Sequence, residues 1–269
     1  MSITPTFLRV MSFNIRYNNP NDGDNAWPHR KDLAASMLHL HRPDVVGMQE
    51  VLAEQVEDLA VRLPDFAWVG VGRDDGVTQG EFAAVFYRRT RLTPLENGTF
   101  WLSETPEIPG SMGWDAHCVR TVTWVRFRDN VTGEPFVFLN THFDHAGRRA
   151  QHESALMLLD RAHMLAGDAP IIVTGDLNCI EISETYRLFT QGVSSGDFRL
   201  HDAKTQSEAP HHGPAATFHA FTGVLRARID YIFVTEDVRV LRHATLADHW
   251  DGRYPSDHMP VVADVMLRR

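Results

Sequence analysis

Two stretches decide the fold: FVFLNTHF at residues 136–143 and IIVTGD at residues 171–176. Each is apolar almost without interruption and then turns polar at its C-terminal end. A strand with one face in water alternates apolar and polar side chains, so runs this uniform are expected where both faces of a sheet are covered. Outward from them lie further short runs rich in β-branched and aromatic residues: LRVMSF (8–13), DVVGMQ (44–49), FAAVFYR (82–88), RIDYIFV (228–234), VRVLRHA (238–244) and PVVADVML (260–267). VRTVTWVRF (119–127) does alternate, with Val119, Thr121, Thr123, Val125 and Phe127 on one side. Helical periodicity falls between the strands. PHRKDLAASMLHLH (28–41) opens near Pro28 and brings Leu33, Met37, Leu38 and His41 near one face; LAEQVEDLAVRL (52–63) stacks Leu52, Val56, Leu59 and Leu63. RRAQHESALMLLDRAHMLAG (148–167) carries Leu156, Leu159 and His163 and ends at Gly167. Nine or more strands in mixed order with these helices predict an α/β (α+β) fold, a four-layer sandwich of two mixed β-sheets packed face to face and flanked by helices.

The chain has 269 residues, 43% hydrophobic and 23% charged, with no low-complexity tract or repeat, and reads as a single domain over 1–269. Its longest apolar runs, such as residues 170–173, fall far below the ~18 residues that span a bilayer, so no membrane insertion is expected. No secretory signal is visible in the first 20 residues, which predicts a cytoplasmic protein, and two cysteines, Cys118 and Cys179, agree with a reducing compartment. The sequons at Asn97 and Asn130 are then expected to stay unused. A net charge of −9 argues against a long polyanion as obligate partner, since phosphate-backbone binding is driven by clustered Lys and Arg. It leaves a small phosphate ester open. Fifteen histidines make imidazole chemistry worth searching for, although most are expected to be ordinary surface residues.

The polar residues sit at the strand tips: Asn14 after the first run, Glu50 after the second, His142 and Asp144 after the fifth, Asp176 and Asn178 after the sixth, Asp230 in the seventh, and Asp257 with His258 before the last. Such groups are costly to bury singly and useful where they converge. Each has a plainer reading. Asp176-Leu177-Asn178 can be an Asx turn, Ser256-Asp257-His258 a polar turn, and Gln49-Glu50 the start of a helix, where a carboxylate favours the dipole. Five such coincidences in order outweigh one.

MSFNIR (11–16), MQE (48–50), NTHFDH (140–145), TGDLN (174–178), RIDYIF (228–233) and SDHMPV (256–261) resemble the ordered motifs of the endonuclease/exonuclease/phosphatase superfamily, the deoxyribonuclease I-like metal-dependent phosphoesterases. The surrounding FNIRYNNPNDGDNAW, GVGRDDG, FWLSETP, GWDA and YPSDH resemble a stand-alone bacterial branch of it. The resemblance implies Mg²⁺ or Mn²⁺ as cofactor, held by Glu50 and Asp257 with Asn14 beside them, an oxygen set that suits a hard cation and leaves positions open for a phosphate oxygen. It implies that Asp176 orients or deprotonates the attacking water and that Asn178 bonds the phosphate and holds that geometry. His258 would donate to a non-bridging oxygen, with Asp230 fixing its tautomer, and His142 would be a second donor on the phosphate side. Glu81 matches a position where some relatives pair an acid with that histidine. Arg120 and Arg148 are candidate substrate contacts. Gln151 stands where the branch often carries an arginine. Trp101, Trp114, Phe218 and Phe221 either wall an apolar pocket or belong to the core.

Three other readings carry less. Gly192-Val193-Ser194-Ser195-Gly196 fits G-x-S-x-G, but a nucleophile elbow needs a strand before it, and YRLFTQ reads as a helix end. His142, Asp144, His145 and Asp176 contain zinc-type ligands, but neighbours on a strand point to opposite faces, which separates Asp144 from His145. A catalytically dead binding module would not need every one of these polar types. The sequence therefore predicts a monomeric phosphoesterase using in-line water attack on a small phosphorylated metabolite, nucleotide or lipid headgroup. Nuclease action on short RNA or DNA is the alternative.

Overall fold

The computed structural model describes residues 7–192 and 198–267. Along the chain run β1 (Leu8–Asn14), a 3₁₀ turn (Pro20–Asn25), α1 (Trp27–His41), β2 (Val45–Val51), α2 (Ala53–Arg62), β3 (Phe66–Val69), β4 (Phe82–Arg88), β5 (Leu92–Trp101), β6 (Thr121–Asp129) and β7 (Pro135–His142). There follow α3 (Arg148–Ala166), β8 (Ile171–Asp176), α4 (Glu184–Gln191), β9 (His201–Asp202), α5 (Ala203–Gln206), β10 (Asp230–Val234), β11 (Val238–Thr245) and β12 (Val261–Leu267). The strands form two six-stranded sheets in the orders β11-β12-β1-β2-β4-β3 and β5-β6-β7-β8-β10-β9. Within each, one central pair is parallel, β1 with β2 and β7 with β8, and the other pairings are antiparallel.

Strand parity sorts the side chains into three cores. Val10, Val45, Val85, Phe138, Ile172, Ile232 and Val265 fill the space between the sheets. Met11, Phe13, Val46 and Met48, one residue out of phase, pack under α1 and α2 through Ala34, Met37, Leu38, Val56 and Leu59. Val137, Leu139, Val173 and Phe233 do the same under α3 and α4 through Ala155, Leu158, Ala162, Leu188 and Phe189. The result is the expected four-layer sandwich. β7 and β8 are buried on both faces, as their uniform apolarity requires. Truncating Phe138, fully buried at the centre, would cost ~3–5 kcal/mol through lost transfer energy and the cavity left behind.

The helical faces shift slightly from the expected ones. On α3 the buried stripe runs through Ala155, Leu158, Leu159 and Ala162, while Leu156 is only half buried and His163 faces solvent. On α1, Leu33 and His41 sit at the edge of the buried face. Val193 to Gly196 of the G-x-S-x-G stretch lie outside the described residues. Among the described residues no helix is long and apolar enough to cross a membrane.

Just below the polar tips a buried bridge pins the sheets together. Asn140 on β7 donates to the carbonyls of Met48 (2.8 Å) and Ala84 (3.0 Å) and accepts from Gln49 Nε2 (2.7 Å). Gly47 makes room for it: a Cβ there would lie 2.0 Å from Thr174 Oγ1 and 2.4 Å from Asn140 Oδ1. The bridge spans both sheets and so fixes their relative register, with the buried Gln49 Oε1 left without a hydrogen bond among the described residues.

Candidate active site

The same parity that places Val10, Ile172 and Ile232 between the sheets places Asn14, Asp176 and Asp230 there too, at the strand ends where the apolar filling stops. Asp176 and Asp230 are register partners across β8 and β10, and His142 pairs with Asp176 across β7 and β8. Glu50 breaks the pattern. Alternation would aim it at α2, but the β2 to β4 register shifts between Met48 and Val51, and Glu50 adopts φ 61°. This bulge turns the carboxylate toward Asn14, whose Nδ2 donates to Glu50 Oε1 and Asp176 Oδ2 at 3.0 Å each. Arg16 (φ 58°) and Asn178 (φ 48°) also hold left-handed backbone conformations, which cost a non-glycine residue ~1–3 kcal/mol and collect at functional sites.

Asp176 accepts from the Asn178 N–H at 2.9 Å. Burial and the Asp230 charge push its pKa up to about 7, against His258, Asn178 and Asn14. His258 Nδ1 meets Asp230 Oδ2 at 2.9 Å, and its Nε2 lies 3.8 Å from Asp176 Oδ2. Burial alone would lower His258, but Asp230, Asp176 and Asp257 override it and hold the imidazole well above its ordinary range. Burial raises Asp257, with Glu50 adding to the shift and His258 opposing it. Arg16 offsets part of this negative charge. It forks onto Asp22 (3.0 and 3.1 Å) and reaches toward Glu50 (3.7 Å) and Asp257 (4.0 Å).

Glu50, Glu81, Arg120, His142, Asp176, Asn178, Asp257 and His258 line one cleft of about 560 Å³, together with Arg16, Arg73 and Phe218. Four of the expected residues sit in particular ways. Asn14 turns its amide nitrogen to the acids while its oxygen accepts from Arg16 N–H (3.0 Å), so it positions carboxylates and is not itself presented as a cation ligand. Nε2 of His142 is 3.0 Å from Asn178 Nδ2, which also donates to Phe143 O, so Nε2 accepts and the ring proton sits on Nδ1. Burial, then Arg120 and Arg73, hold His142 well below its ordinary pKa. It is thus a neutral ring whose Nε2 lies 3.5 Å from Asp176 Oδ2 and whose Nδ1–H is left free to donate. Glu81 Oε2 lies 3.7 Å from His142 Nδ1, on the side expected of a paired acid, and also accepts from Arg73 at 2.7 Å. Arg148 opens α3 and lines a separate groove of about 460 Å³ that adjoins the cleft at His145 and Asn178.

Of the aromatics, Phe218 lines the cleft and packs on the His258 ring at 4.9 Å. Trp101 is buried and donates to Arg73 O. Gln151 donates to the carbonyls of Asp144 (2.7 Å) and Asn178 (3.2 Å), joining the loops after β7 and β8. Asp144 and His145 do approach a common point, with Cys118, their ligand atoms all within 4.8 Å. The Asp144 carboxylate is already occupied by four backbone N–H groups, from His117, Cys118, Ala146 and Gly147. Sequence reasoning missed Arg73 and Arg30. Arg30 lies beneath the site, donating to the carbonyls of Ile15, Arg16, Tyr17, Asn25 and Pro255. Arg73 lies inside the GVGRDDG stretch, which could have flagged it, whereas no local pattern marks Arg30.

A family model described as the Endonuclease/Exonuclease/phosphatase family matches residues 11–258. An endonuclease/exonuclease/phosphatase of Bacteroides vulgatus superposes with TM-score 0.92 at 42% identity, over 98% of this chain and 100% of that one. A mannosyl-6-phosphatase of Bacteroides thetaiotaomicron superposes with TM-score 0.89 at 35% identity, over 97% and 100%. Nocturnin of Drosophila melanogaster is 24% identical over 90% of this chain and 42% of its own length. The chain spans about two fifths of the length of the curated relatives it matches.

Proposed function

From the premise that the chain belongs to the endonuclease/exonuclease/phosphatase family of phosphoester hydrolases, we propose that it releases phosphate from a small phosphorylated metabolite, a sugar phosphate foremost, by metal-dependent attack of water. The observation that carries this reading is the convergence of Glu50, Asp176, Asp257 and the Asp230–His258 pair on one cleft of metabolite size. The similarity to a mannosyl-6-phosphatase supports the sugar phosphate. The net charge of −9 supports a small substrate over a long polyanion.

Family members generally use divalent metals, and the donor set here fits a hard cation. Asp257 is crowded by Glu50 and Asp176 by Asp230, and His258, Arg16 and Arg30 offset part of that negative charge. Glu50 and Asp257 would hold Mg²⁺ or Mn²⁺, which supplies charge neutralisation at the phosphoryl oxygens.

The chain's own residues do the rest. Asp176, oriented by Asn178 N–H and the Asn14 amide, accepts the proton of the attacking water. His258, kept as imidazolium by Asp230, donates from Nε2 to a phosphoryl oxygen as charge accumulates. Asn178 acts through its backbone, since its side-chain amide is engaged by His142 and Phe143. Phosphate release from a panel of hexose phosphates, nucleotides and short oligonucleotides, with Mg²⁺ or with EDTA, tests the reading. Turnover of sugar phosphates that EDTA abolishes is expected. Faster cleavage of oligonucleotides than of any metabolite would replace it with the nuclease alternative.

A further inference from the structure

The cleft ends, beyond His142, in a cluster that the hydrolytic steps above do not use. The Arg120 side chain is only 7% exposed, yet its guanidinium makes no hydrogen bond to any described residue. Its nearest carboxylate oxygen, Glu81 Oε2, is 3.6 Å away and already receives Arg73 Nη1 at 2.7 Å. Arg120 Nε and Nη1, Arg73 Nε and His142 Nδ1 are all buried without a partner. Arg73 also lies 3.8 Å from Asp74 Oδ1, so its charge is shared between two carboxylates, while Arg120 has only the long approach to Glu81 and keeps several N–H donors free. A buried cation whose donors go unsatisfied is costly, and it is kept where a ligand completes it.

Between these groups lies a crevice of about 10 Å³, closed by Phe82, Ala83 and Thr121. One water or one oxygen needs ~10–15 Å³, so a single oxygen atom fits and a carbon chain continuing from it does not. The crevice also touches Glu50, which places it next to the phosphate site.

We propose that Arg120, with Arg73 and Glu81 setting its charge and position, receives an unesterified oxygen of the substrate phosphate, so that the cleft selects phosphate monoesters over diesters. This rests on the reading of the cleft as a phosphoesterase site and deepens it. A terminal phosphate offers three non-bridging oxygens and a second negative charge. One oxygen can enter the crevice while the others face Glu50, Asp257 and His258. A diester offers two such oxygens, and its second arm meets the wall formed by Phe82 and Ala83.

The test compares p-nitrophenyl phosphate with bis(p-nitrophenyl) phosphate for the wild type, Arg120→Met and Arg120→Lys, alongside melting temperatures with and without inorganic phosphate. Arg120→Met is expected to lose ~100-fold or more in kcat/KM on the monoester, the size of losing one preorganised charged donor, and about threefold or less on the diester. Arg120→Lys, which keeps the charge and loses the planar fork, should fall between. Inorganic phosphate should raise the melting temperature of the wild type and leave that of Arg120→Met unchanged. Equal losses on both esters, or a phosphate-induced rise that survives in Arg120→Met, would overturn the proposal. Should the wild type hydrolyse neither ester, the phosphoesterase reading fails, and the melting experiment still decides whether Arg120 binds phosphate.

Discussion

Arg30 and Arg120 are both buried arginines within reach of the same cleft, and they are satisfied in opposite ways. Arg30 gives its donors to five carbonyls, four of them on the segments that carry Asn14, Arg16 and Asp257, and burial pulls its pKa down to about 10. Its planar fork ties together two loops that are distant in sequence, and its charge faces the underside of Glu50 and Asp257. Arg120 makes no hydrogen bond among the described residues and meets the Glu81 carboxylate only at 3.6 Å. The difference separates a buried charge that builds a site from one that awaits a ligand: the first is closed by backbone, the second stays open toward the cleft.

Disabling the chemistry itself has the largest expected effect. Asp176→Asn should lower kcat by ~10³-fold, the contribution of a positioned general base, while leaving the fold intact. Its thermal stability should rise, because the variant removes a buried carboxylate that repels Asp230. A variant that retains more than a tenth of the wild-type kcat would remove Asp176 from the base role.

The next effect separates the two arginines directly. Arg30→Met leaves five carbonyls facing an apolar side chain and should destabilise the protein by ~3 kcal/mol or more in urea unfolding. Arg120→Met should be within ~1 kcal/mol of wild type or more stable, since it removes a buried charge whose donors make no hydrogen bond among the described residues. Equal destabilisation by the two substitutions would erase the distinction between support and open subsite.

A smaller effect concerns pH. His258 is charged up to a raised pKa because Asp230 stabilises the imidazolium, so activity that needs its proton is present below that pKa and lost as pH rises through it. Asp230→Asn removes the stabilising charge. The alkaline limb of kcat against pH should therefore move down by ~1 unit or more. An alkaline limb that stays in place would assign it to another group.

How far these features were legible in the sequence depends on how local their cause is. β7 and β8 were readable because burial on both faces leaves a continuous apolar run. β3, β5 and β9 were not, and all three are edge strands. An edge strand pairs along one side only, so β5 tolerates Pro94 and an irregular register between Pro94 and Glu96, with exposed residues through its middle. The strand-tip residues could be picked out because polar groups at the ends of apolar runs are unusual, and the structure brings them to one cleft. Their orientations could not. The aim of Glu50 depends on a bulge, the face of the Asn14 amide on the Arg16 N–H, and the tautomer of His142 on Asn178, and each of those partners is fixed only after the sheets have packed. Arg73 and Arg120 illustrate the same limit, since an unsatisfied donor is defined by what surrounds it in space.

The hydrolytic chemistry requires the carboxylates of this cleft to form a divalent-cation site. Titration of the wild-type protein with Mn²⁺, followed by the electron paramagnetic resonance signal of the free ion, measures that directly, with Glu50→Gln and Asp257→Asn as the variants. Saturable binding by the wild type, weakened at least ~10-fold in either variant, is predicted. Mn²⁺ that remains free in the presence of the wild type, or that binds both variants as tightly, would contradict it.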